Sequence, residues 1–398
     1  MNGKRVLKEK HGMIYLDNAA TTRPFEEVIR ETEQVMRRTF GNPSAVHQLG
    51  VEAEEKLEAS RKAVADSLQV SPDEVFFTSG GTETNNLVLK GIGERYARKG
   101  KHLVATAVEH KSVLNVLRAM ENQGYEVTYI PVDRRGIIDL EALKQALRED
   151  TLLVSVMHVN NETGAVQPID GVADILRNQD HPPLLHVDAV QSFGKIPVHP
   201  KQSRVDLLTV SSHKIHGPKG IGAFYKQSQV DLKPLIDGGG QEKGLRSGTE
   251  NLPAIAGFAR AVELNFEDVI AQQNHMHHLK ELLREQLHHS IPDAVVNTPD
   301  DPHAAPHVLN VSFPGVKGEV LVRQLESAGI YASTGSACTS SRESVSHVLK
   351  AMGLAKDQLE GAMRFSFSSL NREEEPDQLM EKLVPAVKRL RRLGNIQS

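Results

Sequence analysis

The sequence predicts an α/β protein: a large domain built on a parallel sheet, followed by a smaller α+β domain. Three observations carry this. Between residues 75 and 210, short apolar runs alternate with helical patterns, as βαβ units require. Each run ends on unusual polar residues, and the C-terminal rim of a parallel sheet is where ligands bind. From residue 264 onward the alternation gives way to a long helical pattern and then to mixed strands and helices. At 398 residues the chain is too long for one small core.

Composition narrows the class. Lys and Arg number 47 against 51 Asp and Glu, a net charge of −4, so nothing global calls for nucleic acid or an anionic membrane. No apolar run approaches the length of a membrane span, and the first dozen residues lack the apolar core of a secretory signal. The expectation is a soluble, cytoplasmic protein. One cysteine, Cys338, excludes an intramolecular disulfide and any multi-cysteine metal site.

Taken in order, residues 15–22 are a short apolar piece running into small and polar residues. Pro24 opens a helical pattern through about Arg38. After the turn Gly41-Asn42-Pro43-Ser44, a long helix carries apolar positions at Val51, Leu57, Val64 and Leu68. The strand of residues 75–78 leads into Ser79-Gly80-Gly81-Thr82, and that of 103–106 into Glu109-His110-Lys111-Ser112. Residues 152–157 run into His158, Asn160, Asn161 and Glu162, and residues 184–188 into Ala189, Val190 and Gln191. The fifth strand, 205–210, delivers Ser211-Ser212-His213-Lys214.

Lys214 stands just past a strand end, before Gly217-Pro218. A lone lysine in a turn is ordinarily a solvated one. At the mouth of a sheet its primary amine suits a Schiff base with a carbonyl compound. Residues 237–251 form a glycine-dense loop that fails as a P-loop, because Leu245 stands where the lysine must be. The plain alternative is a flexible connector, yet Arg246, Ser247 and Thr249, ahead of a helix starting near Pro253, suit a phosphate. Residues 264–289 read as one continuous helix bridging two domains. Its histidines (His275, His277, His278, His288 and His289) lack a converging thiol or carboxylate set and fit a solvated face better than a metal site.

Beyond it, residues 308–313 and 331–333 read as strands and 318–328 as a helix. Cys338 lies in a run of small residues, Ser333-Thr334-Gly335-Ser336-Ala337-Cys338-Thr339-Ser340-Ser341, whose composition reads as a mobile loop and favours a reactive thiol over a packed one. Residues 364–368 alternate as a strand with Arg364 at its start. The tail is helical and basic at Lys388, Arg389, Arg391 and Arg392.

Together these segments resemble a known family. Leu16-Asp17-Asn18-Ala19-Ala20-Thr21-Thr22, Thr78-Ser79-Gly80-Gly81-Thr82-Glu83, His158-Val159-Asn160-Asn161-Glu162, His186-Val187-Asp188-Ala189-Val190-Gln191, Ser212-His213-Lys214, Arg246-Ser247-Gly248-Thr249 and Gly335-Ser336-Ala337-Cys338-Thr339-Ser340 resemble cysteine desulfurases of the NifS/IscS type, class-V members of the fold-type I pyridoxal-phosphate enzymes. Seven motifs in order, from about Tyr15 to Arg364, make the resemblance specific. It implies a fold-type I transferase with a mostly parallel seven-stranded sheet. Residues 1–20 are then an N-terminal segment packing with the small domain, 21–263 the large cofactor-binding domain and 264–398 the small domain.

The resemblance also implies roles. Lys214 holds pyridoxal 5′-phosphate and later moves protons. Asp188 pairs with the pyridine nitrogen, Gln191 and Asn161 with the phenolic edge, and His110 stacks on the ring. Gly81, Thr82, Ser211 and His213 hold the phosphate, and Thr249 reaches the phosphate of a neighbouring subunit in a homodimer. Arg364, with Asn161, takes the carboxylate of L-cysteine. Cys338 attacks the substrate sulfur, becomes a persulfide and hands the sulfur to an acceptor, an iron–sulfur scaffold or a tRNA-thiolation enzyme. No resident metal is implied, although Cys338 is placed to ligate an iron–sulfur cluster in transit. His216, Gln241 and Lys243 depart from the family pattern. The rival readings are a selenocysteine lyase or other class-V aminotransferase, and a non-catalytic scaffold.

Overall fold

The computed structural model describes residues 12–300, 302–334 and 345–394. The chain enters through strand β1 (Ile14–Tyr15), then helices α1 (Glu26–Arg38) and α2 (Gln48–Leu68). The alternating region follows: β2 (Val75–Thr78), α3 (Gly81–Tyr96), β3 (His102–Thr106), α4 (Lys111–Glu121), β4 (Glu126–Ile130), α5 (Leu140–Ala146), β5 (Thr151–Met157), α6 (Ile169–Arg177), β6 (Leu184–Asp188), β7 (Leu207–Ser211) and β8 (Gly222–Lys226). These strands form one seven-stranded sheet in the order β2-β8-β7-β6-β5-β3-β4. Only β8 runs against its neighbours, pairing antiparallel with β2 and β7. This is the mostly parallel seven-stranded sheet that the resemblance implies.

Strand residues alternate between two apolar layers, as the period of two demands. Val75, Phe77, Val104, Val154 and Leu208 face a layer built with α1, α2 and a later helix, α7 (Leu252–Glu267). Phe76, Leu103, Leu153 and Phe224 face α3 and α4 instead. Polar residues inside the sheet are paired rather than excluded. His186 lies between Ser155 Oγ (2.9 Å) and Thr209 Oγ1 (2.9 Å), bracing three strands at once.

The C-terminal part comprises α8 (Val269–Ser290), β9 (Val295–Val296), β10 (Val308–Ser312), α9 (Gly318–Ser327), β11 (Ile330–Tyr331), α10 (His347–Ala351), α11 (Lys356–Glu360), β12 (Ala362–Ser366) and α12 (Glu375–Gly394). Its sheet has the order β12-β10-β9, and β11 pairs in parallel with β1. Ile14 and Leu16 belong to the same apolar cluster as Leu279, Leu283, Val311, Phe365 and Leu383.

Three expectations are corrected. The single helix over 264–289 is two, because the backbone turns at Asp268 (φ −147°, ψ 67°), whose side chain then caps α8 by accepting from Ala271 N at 3.0 Å. The strand expected over 205–210 runs from Leu207 to Ser211. Arg364 lies at the middle of β12, not at its start.

Candidate active site

The C-terminal ends of β2, β3, β5, β6 and β7, with the N-terminal segment and β12, enclose a cavity of about 310 Å³. Into it come Gly81, Thr82, His110, Asn161, Asp188, Gln191, Ser211, His213, Lys214 and Arg364, ten of the expected site residues. One of the described residues does not join them. Thr249 is exposed and does not line this cavity. Cys338 lies outside the described residues.

Lys214 ends a single 3₁₀ turn that begins where β7 stops. Its Nζ donates to the carbonyls of Ala19 (2.6 Å) and Ala20 (2.7 Å), so the N-terminal segment forms one wall around the amine. The turn is tightly specified. Gly217 has no room for a side chain, since a Cβ there would sit 2.0 Å from Ser212 Oγ. His216 holds a left-handed φ of 64°, at a cost of roughly 1–2 kcal/mol for a non-glycine residue. Its N–H donates to Thr22 Oγ1 (2.6 Å) and its ring stacks on Phe25 at 4.2 Å, which over-determines the strained geometry.

Asp188 is buried at the floor. One carboxylate oxygen accepts from Asn85 Nδ2 (2.8 Å) and the other from Val190 N (3.0 Å). Asn85 also donates to Ser112 Oγ (2.8 Å), which meets His110 Nδ1 at 2.8 Å. A chain of contacts thus runs from the floor to the wall: Asp188, Asn85, Ser112, His110. His110 Nδ1 accepts from Ser112 N, so the neutral ring carries its proton on Nε2. Burial, with the nearby Lys214 charge working in the same direction and Asp188 against it, keeps the imidazole below its ordinary pKa. His213 is pushed down to about 3 by burial and then by Lys214, which keeps it neutral at neutral pH.

Arg364 is nearly buried. It donates to Asn161 O (2.7 Å) and to Asp17 Oδ1 (2.7 Å), while its Nε has no partner among the described residues. Gln191 donates to Ala19 O (2.9 Å), and its carbonyl oxygen meets His307 Nε2 at 3.3 Å.

The family model for aminotransferase class-V matches residues 14–379. The chain belongs to the class-V aminotransferase family. It is 41% identical over 382 residues to cysteine desulfurase IscS 1 of Archaeoglobus fulgidus, spanning 96% of this chain and 99% of that one. With the NifS/IcsS protein homolog of Lactobacillus delbrueckii subsp. bulgaricus the identity is 45% over 370 residues, 92% and 95% of the two chains. Among solved structures, one described as a NifS-like protein superposes with a TM-score of 0.89 at 40% identity, covering 94% of this chain and 99% of that one.

Class-V aminotransferases depend on pyridoxal phosphate, and the cavity of this member fits that group on its own chemistry. An acidic side chain faces the floor where a protonated pyridine nitrogen needs one. Helix α3 opens on Gly80 and Gly81 with no side chain capping its first N–H groups, beside Thr82, Ser211 and His213, so a phosphate meets free donors at a helix N-terminus. The guanidinium of Arg364 lines the cavity and offers a cation for a carboxylate. Sequence reasoning missed Asn85, Ser112, Ser346 and His347, which also line the cavity. Asn85 had one usable signal: a polar residue in helical register with the apolar positions Val88, Leu89 and Ile92 of α3.

Proposed function

We infer that this chain is a cysteine desulfurase that converts L-cysteine to L-alanine and keeps the sulfur as sulfane sulfur. The convergence of Lys214, Asp188, His110 and Arg364 on one cavity carries the reading, in a chain 41% identical to a protein named for that activity. Pyridoxal phosphate, when bound, supplies an electron sink that acidifies the substrate α-position and weakens the bond to its sulfur. Asp188 would hold the pyridine nitrogen protonated, and Gly81, Thr82, Ser211 and His213 would hold the phosphate. Asn161, Gln191 and the ring of His110 would fix the plane.

In this reading Arg364 fixes the substrate carboxylate, which aims the α-hydrogen at Lys214. The Lys214 amine takes that proton and returns one to the alanine carbon. Cys338, as thiolate, attacks the substrate sulfur: a sulfur–sulfur bond forms, the carbon–sulfur bond breaks and the electron pair stays with the alanine fragment. L-Cysteine and one thiol become L-alanine and one persulfide, with no outside oxidant or reductant. Thiolate is the reacting form, so its fraction governs this step. A thiolate of an acceptor protein, such as an iron–sulfur scaffold or a tRNA-thiolation enzyme, then takes the outer sulfur of the persulfide, and Cys338 leaves as thiolate.

A homodimer belongs to the same proposal. Met36 of α1, Phe40 and Val46 between the helices and Leu49 of α2 are all exposed apolar side chains, 42–100% accessible, and exposed apolar surface near one another in the chain suits an interface. Thr249 would serve the partner's phosphate. The division into 1–20, 21–263 and 264–398 belongs to the same reading: the separate apolar cluster that joins Ile14 and Leu16 to the C-terminal part favours grouping the N-terminal segment with the small domain, while Leu264 and Phe266 of α7 pack on the large-domain core. A reducing cytoplasm suits a chain whose one cysteine must stay a thiol.

The test is incubation with L-cysteine and dithiothreitol. Equal yields of alanine and sulfide are expected, with none of either from Lys214→Ala and no sulfide from Cys338→Ser. Undiminished sulfide from Cys338→Ser would refute the persulfide route.

A further inference from the structure

The glycine-dense loop of residues 237–251 is not a flexible connector. Glu242 and Lys243 are consecutive non-glycine residues with left-handed φ of 48° and 56°, between Gly240 at 80° and Gly244 at 83°. Strained backbone of this kind persists only where surrounding contacts fix it. Those contacts are present. Glu242 is buried and accepts two parallel bonds from Arg61 of α2, at 2.8 and 2.9 Å, in an ion pair whose two side chains are 5% and 3% exposed. The same carboxylate accepts from Phe77 N (2.8 Å), and Arg61 donates to Val75 O (3.0 Å). Both backbone groups belong to β2, the edge strand of the sheet, so the pair closes that edge. Arg61 also lies over the Phe77 ring at 5.0 Å. Lys243 pairs with Asp73 just ahead of β2.

Four residues on, Arg246 reaches back to Glu83 in the first turn of α3 (2.9 Å), and Glu83 accepts from Ser79 N (3.0 Å). The loop therefore grips the chain on both sides of Ser79-Gly80-Gly81: at Phe77 through Glu242 and at Glu83 through Arg246. Gln241, accepting from Gly248 N (2.9 Å), closes the loop on itself.

We propose that the buried Arg61–Glu242 pair and the Arg246–Glu83 pair are a positioning brace that holds the β2–α3 turn in the shape that binds the cofactor phosphate. The inference rests on the reading that this turn, with Gly81 and Thr82, takes that phosphate. None of the four residues lines the cavity, and Arg246, which the sequence offered for a phosphate, is paired with Glu83 instead. They act through the turn.

The test separates positioning from stability. Removing one partner of a buried pair strands a charge, whereas replacing both with apolar side chains is often neutral. The double variant Arg61→Met/Glu242→Leu is compared with wild type by titrating each apo-protein with pyridoxal 5′-phosphate and with pyridoxal, which lacks the phosphate. Thermal unfolding of the apo-proteins reports stability separately. The expected result is a Kd for pyridoxal 5′-phosphate raised about tenfold or more, with the Kd for pyridoxal unchanged. Equal loss for both ligands, or no loss, in a variant that melts like wild type would overturn the brace. Should the double variant fail to fold, Arg246→Met, whose pair is partly exposed, carries the same test with the same two outcomes. Wild type binding neither ligand would instead overturn the functional reading on which the inference stands.

Discussion

Glu109, the residue before His110, is fully buried, and only one of its carboxyl oxygens is bonded among the described residues. Oε1 accepts from Thr106 Oγ1 and Met157 N, both at 2.7 Å, and Oε2 has no partner among the described residues. Burial pushes its pKa up to about 8, with the neighbouring Asp188 charge in the same sense. The folded protein thus keeps a proton that the unfolded chain releases near pH 4.5, so this stabilisation is full below about pH 4.5 and is lost as pH rises through 8. Glu109→Gln, neutral and isosteric, is expected to gain on wild type in melting temperature between about pH 5 and about pH 8. A constant difference across that range would contradict the assignment. Asp188→Asn removes the floor charge while keeping its shape, and alanine formation is expected to fall on the order of a hundredfold in kcat/KM, with the fold intact by circular dichroism. Asp188 was legible because it is a charge at the end of an apolar run. Asn85 and Glu109 were harder: Asn85 is one helical turn inside α3, and Glu109 precedes the more conspicuous His110. Their partners lie 103 and 48 residues away in sequence.

At the scale of elements, Asp268 decides the break between α7 and α8. Its non-helical backbone ends one helix and its carboxylate caps the next. Asp268→Ala is expected to lower unfolding free energy by about 1 kcal/mol in urea titration, the ordinary worth of an N-cap. The apolar period continues across residue 268, which is why the sequence suggested one helix. Five strands were legible from their apolar runs. β4 and β8 were not: β4 opens on exposed Glu126 and carries half-buried Thr128 and Tyr129, and β8 starts on Gly222. The sheet needs both, since β8 is the antiparallel link that joins β2 to β7. The loop of 237–251 was legible as glycine-rich but not as rigid. Its anchor, Arg61, lies 181 residues from Glu242 and looks like an ordinary charge on a helical face.

For the whole molecule, burial of neutral histidines dictates the response to acid. His158, His186 and His216 are pushed down to about 4 and His213 to about 3, each chiefly by burial. Unfolded, each takes a proton near pH 6.5, so the unfolded state binds more protons and stability is lost as pH falls from about 6.5 toward 4. Glu109 opposes with a single proton. The urea midpoint is therefore expected to be lower at about pH 5 than at about pH 7; a flat profile would contradict the burial of these rings. If the apolar patch around Phe40 is the dimer interface, Phe40→Asp is expected to shift wild-type dimer toward monomer in sedimentation analysis while the apo-protein melts cooperatively. The desulfurase account itself stands most directly on where the sulfur goes. The measurement is intact-mass spectrometry of the cofactor-loaded protein after stoichiometric L-cysteine without reductant, with alanine assayed in the same sample. The account predicts one added sulfur per chain, carried by the sole cysteine, Cys338, and one alanine released. Alanine without added sulfur would contradict it.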